Sequence, residues 1–216
     1  MNPGAPHKPL RVPLLALAAT VMCALLMAAA ATATIPQARI AVLRHHRAAL
    51  ARIAAECPGS NATAASAPAA TLSATVVCLI NGERRRFGLP TLTERPTLEL
   101  MAHSWSAFMV AHDEYDHANF ILRLKTAGYA WRTAAENIAS GYATPRWVVA
   151  AWMASTEHCR NILDPEFRDM GIGVVAAPIP SAANMGATWT LDLGLAANAS
   201  PASSNTGPAS GCPYSG

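Results

Sequence analysis

Apolar positions recur at helical spacing through the first two thirds of the chain and switch to strand-like alternation near its end. Ile35 to Glu56 is rich in Ala and Arg, with few breakers, and Ile40, Leu43, Leu50 and Ile53 form an imperfect apolar stripe. This predicts a helix ahead of the main domain, with His45 and His46 on a solvated face among Arg44 and Arg47. Pro58 to Ala70 shifts to uncharged Ser, Ala, Thr and Pro, the composition of a linker. Ser73 is expected to cap a helix carrying Val76, Val77 and Ile80 that ends at Gly88. After a loop at Pro90 to Thr93, the residues Leu98, Met101, Trp105, Phe108 and Met109 predict a second helix from about Pro96 to Ala111. His112 continues that stripe and is expected to be partly buried, whereas His103 lies off it. A short third helix, Asn119 to Ala127, stops at Gly128. Thr144-Pro145 combines an N-cap with a proline at the first helical position, opening a fourth helix with Val148, Val149, Trp152 and Met153 turned inward.

After Pro165 the period changes. Met170 to Val175 and Thr188 to Leu195 are short apolar-rich runs. In the second, Trp189, Leu191 and Leu193 alternate with Thr190, Asp192 and Gly194, which predicts a strand with one face buried. Pro178 to Gly186 separates the two as a loop. Helices followed by short antiparallel strands indicate an α+β domain of stacked layers. Residues 197–216 show no periodicity and are expected to be a disordered tail unless Cys212 is bridged.

The 52% hydrophobic content of the 216 residues is concentrated at the N-terminus. His7, Lys8 and Arg11 precede an apolar run from Val12 to Ala31, which leads to Ala31-Thr32-Ala33. This arrangement predicts a secretory signal peptide over residues 1–33, or a membrane anchor if it is not cleaved. Lys8 and Arg11 would leave with it, so 14 of the 16 basic groups remain against 13 acidic ones. A nearly neutral remainder gives no electrostatic argument for nucleic acid or for an anionic membrane. Cys57, Cys78, Cys159 and Cys212 stay in the exported part, where an even count favours disulfides. Four cysteines allow three pairings. The local pairing Cys57–Cys78 closes the Ser/Ala/Pro-rich loop and would leave Cys159 with Cys212 to tie down the tail.

Candidate chemistry gathers around Ala135-Glu136-Asn137 and Ser155-Thr156-Glu157-His158, with His117 upstream. Two imidazoles and a carboxylate from separate elements are the minimal kit for a Zn²⁺ site or for acid/base work. Ser155 shares a helix face with His158, so a Ser155–His158–Glu136 triad comes to mind. No G-x-S-x-G elbow accompanies it, and Ser155 is read as a helix-end residue bonding locally.

These residues belong to a longer succession of motifs. Cys78-Leu-Ile-Asn-Gly-Glu-Arg84, Gly88-Leu-Pro90, Asp116-His117, Arg123, Ala127-Gly-Tyr129, Glu136-Asn137-Ile138, Ser155-x-x-His158, Gly171-Ile-Gly173 and Trp189-Thr-Leu-Asp-Leu-Gly194 appear in an order that resembles the bacterial branch of the CAP superfamily. That superfamily groups cysteine-rich secretory proteins, antigen-five allergens and plant pathogenesis-related proteins. The likeness covers about residues 71–196, leaving 34–70 as helix and linker. It implies a three-layer α-β-α sandwich around a small antiparallel sheet, usually secreted or held in the cell envelope. It also implies a cleft where two His and two acids meet, which in several members binds Zn²⁺ or another divalent cation. By position these are His117 and His158, as metal ligands, and Glu136. The second acid would fall in Ala118 to Leu122, which holds no carboxylate, so Asp116 and Glu157 are the substitutes at hand. The expected function is a non-enzymatic module binding an extracellular or envelope partner or a small lipid-like ligand. The alternative is a Zn-assisted, protease-like hydrolase with Glu136 and His158 as catalytic candidates.

Overall fold

The computed structural model describes residues 37–182, 186–200 and Cys212, with side chains from residue 44 onward. In chain order the elements are α1 (Gln37–Glu56), α2 (Ala69–Arg86), β1 (Thr93–Glu94), α3 (Pro96–His112), α4 (Phe120–Ala127), β2 (Trp131–Tyr142), α5 (Pro145–Ala154), α6 (Thr156–Ile162), β3 (Asp169–Val175) and β4 (Ala187–Ala196). The sheet order is β1-β3-β4-β2. β4 runs antiparallel to both neighbours, while the two-residue β1 lies parallel to β3.

β4 is buried from Ala187 to Leu195, polar positions included. The alternation in its sequence had suggested one wet face. Instead helices cover both sides, and Thr190 and Asp192 are as inaccessible as Leu191. One side of the sheet joins Val76, Leu79 and Ile80 of α2 and Trp152 and Met153 of α5, with Leu50 and Ile53 of α1 completing that core. On the other side lie Leu98, Met101, Trp105 and Met109 of α3 and Leu124 of α4. This is the α-β-α sandwich of an α+β fold.

Two glycines set the second layer. A Cβ on Gly171 would overlap the backbone of Leu98 and Glu99, and one on Gly173 the backbone of Ala102 and His103. Helix α3 therefore rests backbone to backbone on β3. Its Ser106 hydroxyl reaches the Thr190 hydroxyl of β4 at 2.8 Å. On the opposite layer Arg84 is fully buried and donates to four carbonyls, those of Pro90, Ile162, Asp164 and Phe167. One guanidinium thus satisfies backbone acceptors from the α2–β1 loop, the end of α6 and the loop that follows it.

Several expectations are corrected. Helix α2 starts at Ala69 after Pro68, and Ser73 lies within it, donating to the Ile172 carbonyl instead of capping. The stretch read as a linker is packed: Ser60 is buried, its carbonyl accepts from Arg146 N–H, and Thr75 donates to the Pro58 carbonyl. His46 is buried, not solvated, and His112 is exposed, not buried. Strands β1 and β2 had no counterpart in the periodicity. The helix from Pro145 breaks at Ser155, so His158 sits inside a separate helix, α6. Disulfides join Cys57 to Cys78 and Cys159 to Cys212. The segment read as a signal peptide, and the tail from residue 201 onward apart from Cys212, lie outside the described residues.

Replacing Gly171 by Ala is expected to lower stability by about 3 kcal/mol, because the intruding methyl meets backbone that cannot rotate away. Chemical denaturation measures this directly. A second prediction comes from α2. Burial raises the Glu83 carboxyl to about 7, against the pull of Arg86 at 3.6 Å. The folded chain thus prefers protonated Glu83, a contribution complete below the ordinary glutamate range and lost as pH rises through 7. His46, lowered to about 4 by burial and then by Arg86, costs stability as pH falls below the imidazole range. Glu83→Gln should therefore be more stable than the parent above neutrality by about 1–3 kcal/mol, with no gain in mild acid. Denaturation curves across pH check the sign.

Candidate functional site

The site is built on the edge strand β2. Strand alternation sends Glu136 and Asn137 to opposite faces. Asn137 is fully buried; its amide donates to the His158 carbonyl at 3.0 Å and its oxygen accepts from Asn161 at 2.8 Å. It thus fixes α6, and with it His158, against the sheet. Trp152 Nε1–H and the Tyr115 hydroxyl both donate to the Ile138 carbonyl, holding α5 and the segment before His117 to the same strand.

Glu136, on the other face, exposes 2% of its side chain and gathers the charges of the cleft. Arg123 of α4 clamps it with two bonds, Nη1–Oε2 at 2.7 Å and Nη2–Oε1 at 2.9 Å. His117 Nδ1 meets Oε1 at 2.8 Å. A carboxylate only accepts, so Nδ1 carries the hydrogen, and the neutral ring keeps its lone pair at Nε2. Burial pushes the Glu136 carboxyl up, but the bonds from His117 and Arg123 outweigh it and the net shift is downward.

Arg123 also stacks on Trp105, 3.9 Å from the ring centroid. Trp105 in turn stacks on Phe108 and Phe108 on His112. This cation–aromatic row explains why His112 follows the apolar stripe and yet stands in solvent. Beside the row, α3 and α4 enclose a groove of about 920 Å³ lined by Leu100, Met101, Phe108, Leu122 and Arg123. Leu100 is 68% exposed and Leu122 59%, so the groove offers apolar surface to water.

His158 is half buried. Burial, then repulsion from His117, hold it below the ordinary imidazole range, against the pull of Glu157. The two imidazoles are therefore electrostatic neighbours, and His158 is neutral at neutral pH. Of the proposed substitute acids, Asp116 uses Oδ1 to accept from Ala118 N–H in its own turn. Glu157 is exposed on α6. Ser155 caps the junction between α5 and α6, and the hydrogen bonds of Glu136 go to His117 and Arg123, so no Ser155–His158–Glu136 triad is assembled. Among the described residues no group of three or more His, Cys, Asp or Glu is arranged to hold a metal.

Two participants escaped the sequence reading. Arg123 had been noted only as part of the family likeness. Asp192 had been assigned to a wet strand face. It stands directly opposite Glu136 in the β2–β4 ladder and is wholly buried. Burial, followed by the negative charge of Glu136, pushes its carboxyl well above the usual range, with Arg123 offsetting part of this.

Residues 77–182 match the family model described as CAP, the cysteine-rich secretory protein family. This stretch is a CAP domain. The chain is 38% identical over 120 residues to the uncharacterized protein YkwD of Bacillus subtilis, a match spanning 53% of this chain and 44% of that one. An extracellular protein containing an SCP domain from Bacillus anthracis has the same fold, with a TM-score of 0.51 at 21% identity over 58% of this chain and 41% of its own. An outer surface protein from Borrelia burgdorferi aligns with a TM-score of 0.50 at 18% identity, over 56% of this chain and 90% of its own. The CAP domain here thus spans less than half the length of the two Bacillus proteins.

Glu136→Gln removes the anion that two donors share and leaves Arg123 facing a neutral amide. It is expected to cost about 3–5 kcal/mol at neutral pH. Since the folded Glu136 carboxyl is held low, the difference should shrink as pH falls through the carboxylate range. Urea unfolding of both proteins across that range measures it.

Proposed function

We propose that this CAP domain is an exported binding module, of the extracellular space or the cell envelope, whose cleft takes a divalent cation through His117 and His158. The observation that carries this reading is the bond from His117 Nδ1 to Glu136, which fixes the ring and leaves Nε2 with its lone pair. A carboxylate behind a ligating imidazole is how proteins orient such a ligand. In this reading Glu136 stands behind the ring, not on the ion. Neutral His158 is the second donor, and two imidazoles without a third protein ligand leave positions for water or for a bound partner. The disulfides fit an oxidising compartment. The exposed apolar groove that shares Arg123 with the cleft supports a small lipid-like ligand or an envelope component as partner.

Titration calorimetry of the full chain with Zn²⁺ is expected to show binding that weakens about tenfold or more in His117→Ala and in His158→Ala. No heat in the parent protein refutes the cation. Hydrolytic turnover abolished both by chelation and by His158→Ala would replace the binding reading with the metal-assisted hydrolase.

A further inference from the structure

Glu136 and Asp192 face each other directly across the antiparallel β2–β4 ladder. Side chains so paired lie on one face with Cβ atoms about 4.5–5.5 Å apart. Glu136 has three hydrogen bonds, two from Arg123 and one from His117. Asp192 is wholly inaccessible, and with both carboxyls written as anions neither of its oxygens has a donor. The groups around it give it no charge of its own to pair with. Across β3 its neighbour is Gly171, the Ser106 and Thr190 hydroxyls of that face bond each other, the Tyr129 hydroxyl over Gly194 donates to Asp169, and the cation Arg123 is clamped to Glu136. Two buried anions sharing one guanidinium would leave a negative charge uncompensated in a dry layer. A single proton resolves both difficulties, since it removes the charge and makes a donor. It belongs on Asp192, because Glu136 already has the partners that favour its ionised form.

We propose that Asp192 is the second acid of the cleft and acts as a positioning residue: a neutral carboxylic acid that donates its O–H to Glu136 from beneath and fixes the carboxylate holding Arg123 and His117. The upward shift of its carboxyl, caused first by burial and then by the negative charge of Glu136, agrees. The acid that is missing after His117 is thus supplied by β4, from the interior and without charge. The cleft has two carboxyl groups but one negative charge, which Arg123 balances. His117 is then aligned by an anion whose orientation is set on both sides. This inference deepens the reading of the cleft given above, but its test reads Asp192 itself and stands whether or not Zn²⁺ binds.

The test is carboxyl ¹³C NMR of the labelled full chain over a pH series. The Asp192 resonance is expected to keep its protonated position from mild acid through neutral pH and to vanish in Asp192→Asn. A resonance that titrates in the ordinary carboxylate range overturns the proposal. The ring ¹⁵N chemical shifts of His117 test the positioning role. Asp192→Asn, which keeps a donor in place, should leave the ring hydrogen at Nδ1 as in the parent. Asp192→Leu removes the donor that orients Glu136 and should turn the ring into a mixture of the two neutral tautomers. An unchanged ¹⁵N pattern in Asp192→Leu argues against positioning. If that variant does not fold, the carbon measurement on the parent protein still decides.

Discussion

The backbone of α3 lies directly on β3 where Gly171 and Gly173 leave no side chain between them. That approach seals the face of the sheet carrying Glu136, Thr190 and Asp192. In the dry layer it creates, a polar group without a partner is expensive, so every charge there has to be paired or neutral. Ser106 bonds Thr190, Arg123 grips Glu136, and Asp192 is left to bear a proton. The cleft chemistry is therefore a product of how closely helix and sheet are packed. A looser α3 would admit water and relax the demand that holds these side chains in register.

The helices were legible from the sequence because their apolar stripes and breakers are strong: Pro96, Thr144-Pro145, Gly88 and Gly128 all mark real helix boundaries. Strands β3 and β4 were legible too. The long strand β2 was not, since Ala134, Ala135, Glu136, Asn137 and Ala139 dilute its few β-branched and aromatic residues, Trp131, Thr133, Ile138 and Tyr142, and its pairing with β4 overrides weak propensity. Asp192 was placed in water because alternation alone cannot tell a wet face from one covered by a helix. The small residues around it, Gly171, Gly173 and Gly194, were the available signal of close covering. His117, His158 and Glu136 were found through the family motifs. Their roles became visible only when distances showed that Glu136 spends both oxygens on Arg123 and His117.

That commitment sorts the cleft into support and surface. Glu136, Arg123 and Asn137 face inward or are spent on neighbours, and removing any of them disturbs the scaffold first. His117, with half of its side chain in solvent, is where the scaffold meets the outside. The stack of Arg123, Trp105 and Phe108 carries the same support along α3 into the wall of the apolar groove. Cleft and groove are thus mechanically one unit, joined through a single guanidinium.

His158 is the chain neighbour of Cys159, whose sulfur is bonded to Cys212 near the far end of the sequence. The seven-residue α6 is too short to hold its shape unaided. It is kept in place by the Asn137 contact on one side and by this crosslink on the other. A reductant that opens the crosslink would release Cys212 and slacken the turn bearing the imidazole. Whatever the cleft binds, its grip is thereby tied to the thiol chemistry of the surroundings.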